Sequence, residues 1–292
     1  MCSIDWDDEI EAESADFHLT QFQDTAFSSD YKFVKVTTKG EPLVSDNGSF
    51  PVIFVAKITC ERERQTILEM NRLGIPVPAV YGSVTNGSMT VLYEELVDGR
   101  EIYHDPDINH WTELARTLAR VHSVIPSFRS EKTFERIRDA RAACQSKARL
   151  KSSFDYALSR LKAKPPHLVH GDMFPTNALV KEDGTVVLID WADAGFASYV
   201  NDLGRLTGMI DMETLRPFCP CEDAVRDAYY EAVRDKIVYE DYVHDFYAGQ
   251  FIETAAYYCP GELRGPFAIP SDRRYAEAVR GRLMEIAAKL TP

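Results

Sequence analysis

The chain has no excess of basic residues. Its 292 residues include 46 acidic and 33 basic side chains, and the formal net charge is -13. Binding to a nucleic-acid backbone needs a positively charged surface, so this balance argues against nucleic acid as a partner. The negative charge does not identify a cationic substrate, because it also serves solubility.

Long apolar runs are absent as well. No stretch approaches the roughly 20 apolar residues of a transmembrane helix, and the N-terminus lacks the basic start and apolar core of a signal peptide. We therefore expect no membrane partner and a cytoplasmic location. The six cysteines, at positions 2, 60, 144, 219, 221 and 259, lack the paired spacing of a zinc site, and we expect reduced thiols.

Two glycine-rich phosphate-binding motifs are also missing. The chain contains neither G-x-G-x-x-G nor G-x-x-x-x-G-K-[ST]. This absence excludes the phosphate cover of P-loop enzymes and of typical protein kinases. The segment Thr-Thr-Lys-Gly at 37–40 is the candidate substitute.

The most informative segment that is present runs from His170 to Asn177 and reads His-Gly-Asp-Met-Phe-Pro-Thr-Asn, with Ile-Asp-Trp following at 189–191. Two short β-rich runs between them flank Glu-Asp-Gly at 182–184, which predicts a β-hairpin. The hairpin places Asn177 and Asp190 together at its open end. An amide oxygen and a carboxylate are hard ligands that suit Mg²⁺.

Asp172 lies on the same loop, between His170 and Asn177. It is near the predicted metal without having to bind it, so we predict that it orients an attacking hydroxyl and accepts its proton. His170 is expected to anchor the loop by hydrogen bonding. Each residue alone also fits a structural role such as turn capping, but the spaced combination favours function.

The pattern HGD, four residues, N, and later IDW resembles the catalytic loop and metal-binding segment of the aminoglycoside phosphotransferase and choline kinase-like superfamily. Members of this superfamily share the protein-kinase-like fold. The resemblance implies that Asp172 is the catalytic base and that Asn177 and Asp190 bind magnesium. It also implies that Asp202, in the run Asn-Asp-Leu-Gly at 201–204, supports the catalytic loop.

A lysine near the end of a predicted strand is the candidate phosphate ligand. Lys57 ends the run Val-Ala-Lys, which resembles the kinase strand whose lysine contacts nucleotide phosphates. A helix predicted at 61–73 follows, and Glu63 falls on its apolar face, so we expect Glu63 to pair with Lys57. The alternatives are a solvated lysine on an edge strand and an acid that favours the helix N-terminus.

A strand is predicted at 90–93, and the four residues that follow it resemble the hinge between kinase lobes, where backbone groups bind adenine. They are Glu94, Glu95, Leu96 and Val97. The resemblance implies an α+β, two-lobed protein-kinase-like fold, with a small β-rich nucleotide-binding lobe at 1–95. Residues 96–292 would form a larger, mainly helical lobe for catalysis and acceptor binding.

The C-terminal part has helical periodicity, and we predict helices at 109–125, 222–238, 241–258 and 272–290. His122 lies on the apolar face of the first helix and is expected to be a hydrogen-bonded core histidine. The resemblance makes three acids on the third helix conceivable contacts to an amine, although a solvated helix face explains each of them better. These acids are Asp241, Asp245 and Glu253.

Together these residues predict a transferase that moves the γ-phosphate of ATP or GTP to a hydroxyl of a small molecule, with Mg²⁺ as cofactor. The acceptor class is open and includes cationic amino sugars and amino alcohols. A pseudokinase without transfer activity fits the missing glycine loop. A metal-dependent hydrolase using Asp172, Asp190 and Asp193 would leave Lys57 and Glu63 without a role.

Overall fold

The computed structural model describes residues 17–22, 33–38, 44–45, 48–49, 53–86, 89–125, 135–144, 148–257 and 273–290. The N-terminal part consists of strands and one helix. In chain order these are β1 (Phe17–Phe22), β2 (Phe33–Thr38), β3 (Val44–Ser45), β4 (Gly48–Ser49), β5 (Ile53–Thr59), α1 (Glu61–Arg72), β6 (Val80–Asn86) and β7 (Met89–Glu94). Five of the strands form an antiparallel sheet in the order β1-β2-β5-β7-β6, and β3 pairs with β4.

Strand β5 lies in the middle of the five-stranded sheet. Phe54 and Ala56 are buried on one of its faces, and the register pairs Lys57 with Leu92 of β7. Because side chains alternate along a strand, Lys57 points to the face opposite Phe54. The central position of β5 contradicts the edge-strand alternative and gives Lys57 a buried environment.

Helix α1 follows β5 after a single residue, Cys60. It buries Ile67 and Met70 on the face that also carries Glu63. The helix ends one residue before the predicted Leu73, because Gly74 takes a φ of +66° and its amide donates to the Asn71 carbonyl at 3.0 Å. A glycine in this left-handed conformation is a common helix stop.

The C-terminal part begins with a short strand and contains two small antiparallel sheets. Its strands are β8 (Gly99–Glu101), β9 (His167–Val169), β10 (Ala178–Lys181), β11 (Val186–Leu188) and β12 (Gly195–Ala197). Strand β10 pairs with β11 and β8, and β9 pairs with β12. The pairing of Ala178 with Leu188 confirms the predicted hairpin.

Helices make up most of the remaining chain. They are α2 (Ile108–His122), α3 (Glu135–Cys144), α4 (Ala148–Lys162), α5 (Val200–Gly208), α6 (Glu222–Val233), α7 (Tyr239–Tyr257) and α8 (Arg273–Leu290). The four helices predicted in this part are present with shifted ends. Helix α6 ends before the predicted residue 238 because the Lys236 backbone amide donates to the Val233 carbonyl at 2.8 Å, which tightens the chain into a turn.

Helices α5 and α7 cross where each carries a glycine. A Cβ built on Gly204 would lie 2.3 Å from the Gly249 carbonyl carbon, and one on Gly249 would lie 2.2 Å from the Val200 carbonyl oxygen. Both approaches are to backbone atoms, so no side-chain rotation could relieve a clash. The close crossing fixes α5 against α7, and α5 carries Asp202.

None of the described helices is both long and apolar enough to cross a bilayer. The cysteines within the described ranges, Cys60, Cys144, Cys219 and Cys221, are free thiols. The substitute phosphate loop predicted at 37–40 extends outside the described residues.

The glycine crossing generates a stability prediction. We expect Gly249→Ala to lower the free energy of unfolding by about 3 kcal/mol, because the added methyl forces α5 and α7 apart. Urea unfolding of the purified protein, followed by circular dichroism, measures this loss. Gly281→Ala is the matched control, since Gly281 lies in helix α8 with no atom within 4 Å of a built Cβ. The control should raise stability by up to about 1 kcal/mol; equal effects of the two substitutions would refute a tight crossing.

Candidate active site

The open end of the β10–β11 hairpin holds the two predicted metal ligands. The Ile189 amide donates to the Asn177 carbonyl at 3.0 Å, which extends the ladder by one pair beyond the strands. Asp190 is the next residue, so the hairpin brings it to the end where Asn177 lies. Asp190 has a φ of +60°, a left-handed conformation that aspartate tolerates better than most residues.

Lys57 joins the sheet to this hairpin. Its Nζ lies 2.5 Å from Glu63 Oε1 and 2.6 Å from Asp190 Oδ1. Lys57 and Glu63 are fully buried, whereas 30% of the Asp190 side chain is exposed. Thr59 donates its hydroxyl hydrogen to the other oxygen of Glu63. The structure therefore places Glu63 against Lys57, as its position on the apolar face of α1 predicts, and adds a direct contact to Asp190.

The neighbouring acids keep Lys57 positively charged. Burial by itself lowers the pKa of Lys57, but the carboxylates of Glu63, Asp190 and Glu94 outweigh that effect and hold the pKa above its ordinary value. Lys57 thus remains an ammonium in a nearly dry environment. Such a fixed positive charge suits contacts to nucleotide phosphates.

Glu94 is a buried acid whose burial the sequence does not predict. It pairs in register with Val55 of β5, so its side chain lies on the same face of the sheet as Lys57. Within the described part of the chain, its Oε2 atom has no hydrogen-bond partner. Burial raises the pKa of Glu94; Lys57 opposes the rise, Glu63 and Asp190 add to it, and the pKa reaches about 7.

The other hinge residues differ in what they offer to a nucleobase. The Glu95 amide donates to the Ala79 carbonyl at 2.8 Å, so this amide is already in use. The Glu95 carboxylate accepts from Lys181 at 3.0 Å and from the Ala79 amide at 3.2 Å. Leu96 is 40% exposed. An adenine edge at this segment would therefore use the Glu95 carbonyl and the backbone of Leu96 and Val97.

Asp202 holds the loop that carries Asp172 through hydrogen bonds to its backbone. The two oxygens of Asp202 accept from the His170 amide at 2.7 Å and the Gly171 amide at 2.9 Å. His170 is buried, and its Nε2 donates to the Ile189 carbonyl at 2.8 Å while its Nδ1 accepts from the Asp172 amide at 3.3 Å. The structure thus gives His170 the anchoring contacts that were predicted.

Asp202 is in turn tied to the helical core. His122 Nε2 lies 3.0 Å from Asp202, and His122 Nδ1 lies 2.9 Å from the Tyr229 hydroxyl. Burial raises the pKa of Asp202, but the hydrogen bonds from His122 and the Gly171 amide, with the nearby His170 ring, outweigh it, so the net pKa is lowered. His122 is the hydrogen-bonded core histidine that was predicted. Tyr229 was not predicted as part of this chain of contacts.

The residues at the hairpin end fit a magnesium ion. Asn177 Nδ2 donates to the Asp172 carbonyl at 2.7 Å and approaches Asp172 Oδ2 at 3.3 Å, which turns the amide oxygen of Asn177 the other way. Asp190 uses Oδ1 for Lys57 and is partly exposed. Two hard oxygen ligands complement an ion that keeps waters and takes its remaining ligands from phosphates. Among the described residues, no group of three or more His, Cys, Asp or Glu side chains could hold a metal.

Arg205 contacts Asp172, a contact that the sequence did not predict. Its Nη2 lies 2.5 Å from Asp172 Oδ1, and its Nη1 lies 3.7 Å from Glu253 Oε2. The available signal was position, because Arg205 follows Asp202 by three residues in α5 and shares its helix face. The contact itself spans distant segments, which periodicity does not reveal.

The prediction of a solvated face for the three acids of α7 was wrong for two of them. Asp245 and Glu253 are each 1% exposed, whereas Asp241 is exposed. Asp245 pairs with Arg160 and Lys164, each at 2.7 Å. The physical reason is that the middle of α7 is buried on all sides, so it has no solvated face.

Comparison with known proteins places the chain in a family. A model of the phosphotransferase enzyme family matches residues 25–237, more than half of the chain. The chain therefore belongs to the phosphotransferase enzyme family. No curated protein matches it in sequence.

Solved structures share the fold at low sequence identity. An aminoglycoside phosphotransferase from Alicyclobacillus acidocaldarius has a TM-score of 0.58 and 14% identity, with 99% of this chain and 96% of that chain covered. A Plasmodium vivax ethanolamine kinase has a TM-score of 0.59 and 12% identity, with coverage of 94% and 85%. A spectinomycin phosphotransferase in complex with ADP and spectinomycin has a TM-score of 0.57 and 11% identity, with coverage of 94% and 92%.

These findings confirm the predicted superfamily and the α+β, protein-kinase-like fold. By family membership the protein is a phosphotransferase. The roles of the individual site residues and the lobe boundary between residues 95 and 96 stay predictions.

The raised pKa of Glu94 generates a prediction about stability and pH. Glu94 has a folded pKa of about 7 against an ordinary value of 4.5. Between these values the folded protein keeps a proton that the unfolded chain releases, so the stabilisation is complete below pH 4.5 and is lost as pH rises through 7. The size of this loss is about 3 kcal/mol.

Urea unfolding of the wild type and of Glu94→Gln between pH 4.5 and 8 isolates this contribution. We expect the wild type to lose stability relative to the variant as pH rises, because glutamine does not titrate. Glu113→Gln, which changes an exposed glutamate on α2, should track the wild type. A difference between wild type and Glu94→Gln that stays constant with pH would contradict the buried, protonated carboxyl.

Proposed function

We propose that the protein transfers the γ-phosphate of ATP to a hydroxyl of a small molecule. The observation that carries the proposal is the contact of Lys57 with both Glu63 and Asp190. It brings the predicted phosphate-binding lysine and the predicted metal-binding acid to one point beside the Asp172 loop. Membership in the phosphotransferase enzyme family supports this reading.

In the proposed mechanism, Lys57 positions the phosphates of the nucleotide, and Glu63 keeps the ammonium in place. Asn177 and Asp190 would hold Mg²⁺, which when bound offsets the charge that develops on the transferring phosphoryl group. The backbone of the segment 94–97 would hold the nucleobase. These contacts fix the γ-phosphate in line with the acceptor, which is the main source of catalysis in phosphoryl transfer.

Asp172 is the proposed base. Its carboxylate would accept a hydrogen bond from the acceptor hydroxyl and take up the proton as the hydroxyl oxygen bonds to the γ-phosphorus. The bond between the γ-phosphorus and the bridging oxygen breaks in the same step, and ADP leaves. The Asn177 amide, 3.3 Å from Asp172 Oδ2, helps to orient the carboxylate.

We propose ATP as the phosphate donor. The structurally similar spectinomycin phosphotransferase binds ADP, the product of transfer from ATP, and nothing comparable supports GTP. We also propose a cytoplasmic location, because an ATP-dependent kinase uses the cytoplasmic pool of nucleotides.

The acceptor is proposed as a small hydroxyl-bearing compound. The structurally similar proteins include kinases of aminoglycosides, spectinomycin, ethanolamine and choline. Amino sugars and amino alcohols are therefore the first acceptors to test. The contact of Arg205 with Asp172 adds a positive charge near the transfer point, so neutral sugars belong in the same panel.

Release of ADP with and without each acceptor separates the proposal from its alternatives. We expect acceptor-stimulated release from the wild type and a fall of kcat by at least about 100-fold in Asp172→Asn, with ATP affinity unchanged, because only the proton acceptor is lost. Asp183→Asn, at the exposed far end of the hairpin, is the matched control. ATP binding without stimulated release by any acceptor would favour a pseudokinase, and full turnover of Asp172→Asn would remove the base assignment.

Asp190→Asn tests the metal assignment. The amide keeps the shape and tolerates the left-handed backbone, so the protein should fold. We expect calorimetry to show Mg²⁺-dependent ATP binding weakened about tenfold or more, while binding without Mg²⁺ changes less, because the variant lacks one ligand charge. Unchanged Mg²⁺ dependence would show that Asp190 serves only Lys57.

A further inference from the structure

Arg205 makes a contact that the proposed mechanism leaves unused. Its guanidinium lies between a carboxylate of the catalytic loop, with Nη2 at 2.5 Å from Asp172 Oδ1, and one of α7, with Nη1 at 3.7 Å from Glu253 Oε2. The Arg205 side chain is 12% exposed, and that of Glu253 is 1% exposed. A guanidinium shared by two acids in so little water is held in a defined position.

The neighbours of Arg205 restrict it further. The Phe174 ring centroid lies 5.0 Å from the guanidinium carbon and that of Tyr257 lies 6.0 Å away, so the guanidinium has aromatic contacts within the catalytic loop and at the end of α7. Asn201 Nδ2 donates to Glu253 Oε1 at 2.7 Å, which fixes the carboxylate that anchors Arg205. Helices α5 and α7 and the catalytic loop all converge on this side chain.

The contact gives the two carboxylate oxygens of Asp172 different environments. Arg205 occupies Oδ1, while Oδ2 lies 3.3 Å from the Asn177 amide. Without Arg205, the carboxylate could turn about its Cβ–Cγ bond and exchange these environments. We propose that Arg205, anchored by Glu253, is a positioning residue that orients Asp172 so that Oδ2 takes the proton of the acceptor hydroxyl. This inference rests on the proposed function.

The geometry requires arginine and not merely a positive charge. The planar guanidinium presents separate nitrogens to Asp172 and Glu253, whereas a lysine ammonium is a single point charge on a flexible chain. Arg205→Lys keeps a positive charge beside the buried Glu253, so the variant should fold. It cannot contact Asp172 and Glu253 through separate nitrogens. This variant separates positioning from simple charge compensation.

The experiment compares Arg205→Lys, Arg205→Gln and the double variant Arg205→Gln with Glu253→Gln. We expect kcat to fall about tenfold for the lysine and about 100-fold for the glutamine, since a displacement of about 1 Å at the reacting group has effects of this size. ATP affinity and the KM for ATP should stay within about twofold, because Lys57 and the hinge are untouched. A merely structural role would instead lower the folded fraction of the protein, and the apparent kcat would fall in proportion to that fraction.

Arg226→Gln is the matched control. Arg226 is 14% exposed and pairs with Asp223 and Asp227 on α6, without a contact to the catalytic loop. It should keep the wild-type kcat. The double variant removes the buried charge together with its partner, so it should fold even if Arg205→Gln does not. Its kcat should fall about 100-fold, the loss expected from removing the arginine.

The outcomes distinguish this inference from the proposed function. A wild type with acceptor-stimulated ADP release, together with an Arg205→Lys variant of equal kcat, would overturn the positioning role and leave the kinase intact. A loss in Arg205→Lys that matches its unfolded fraction, measured by thermal unfolding, would overturn it too. A wild type with no acceptor-stimulated release would remove the proposed function and this inference with it.

Discussion

The burial of a single ammonium among carboxylates is the constraint on which the arrangement of this site depends. Lys57 comes from the sheet, Glu63 from α1 and Asp190 from the loop after β11, and the lysine contacts both acids at 2.6 Å or less. A buried charge that loses its partner is costly, so the three segments are obliged to stay together. Arg62 strengthens this connection by donating to the Ala192 carbonyl at 2.7 Å. The proposed nucleotide site thus lies where strand, helix and hairpin meet.

Local patterns in the sequence predicted the parts of this site that depend on local geometry. The hairpin followed from its turn residues, and the inward position of Glu63 followed from the spacing of apolar residues in α1. Long-range packing decided the rest. The contact of Arg205 with Asp172 joins α5 to a loop about 30 residues earlier in the chain. Glu94 is buried on the sheet face that also carries Lys57, a face set by the pairing of β7 with β5. Glu253 is buried because the middle of α7 is surrounded on all sides. Helical periodicity identifies an apolar face only where the opposite face is exposed, so it does not predict this burial.

The catalytic loop is ordered by contacts made beneath it. Asp202 accepts from two loop amides and from His122, and Tyr229 completes the chain of contacts in the helical core. Buried polar groups with satisfied hydrogen bonds specify one conformation, since an alternative would leave some of them unpaired. The close crossing of α5 and α7 places Asp202 and Arg205 on one rigid unit. The position of the loop that carries Asp172 therefore depends on residues of the helical core.

Asp190 meets two requirements: its carboxylate contacts Lys57, and its backbone takes a left-handed conformation. Its φ of +60° favours aspartate, asparagine or glycine over other residues, independently of any metal. Relatives that had lost catalysis would still need a residue that tolerates this left-handed backbone. Evolutionary loss of transfer at this position should therefore pass through asparagine or glycine and not through alanine or glutamate. The left-handed backbone at position 190 would thus persist after transfer activity was lost.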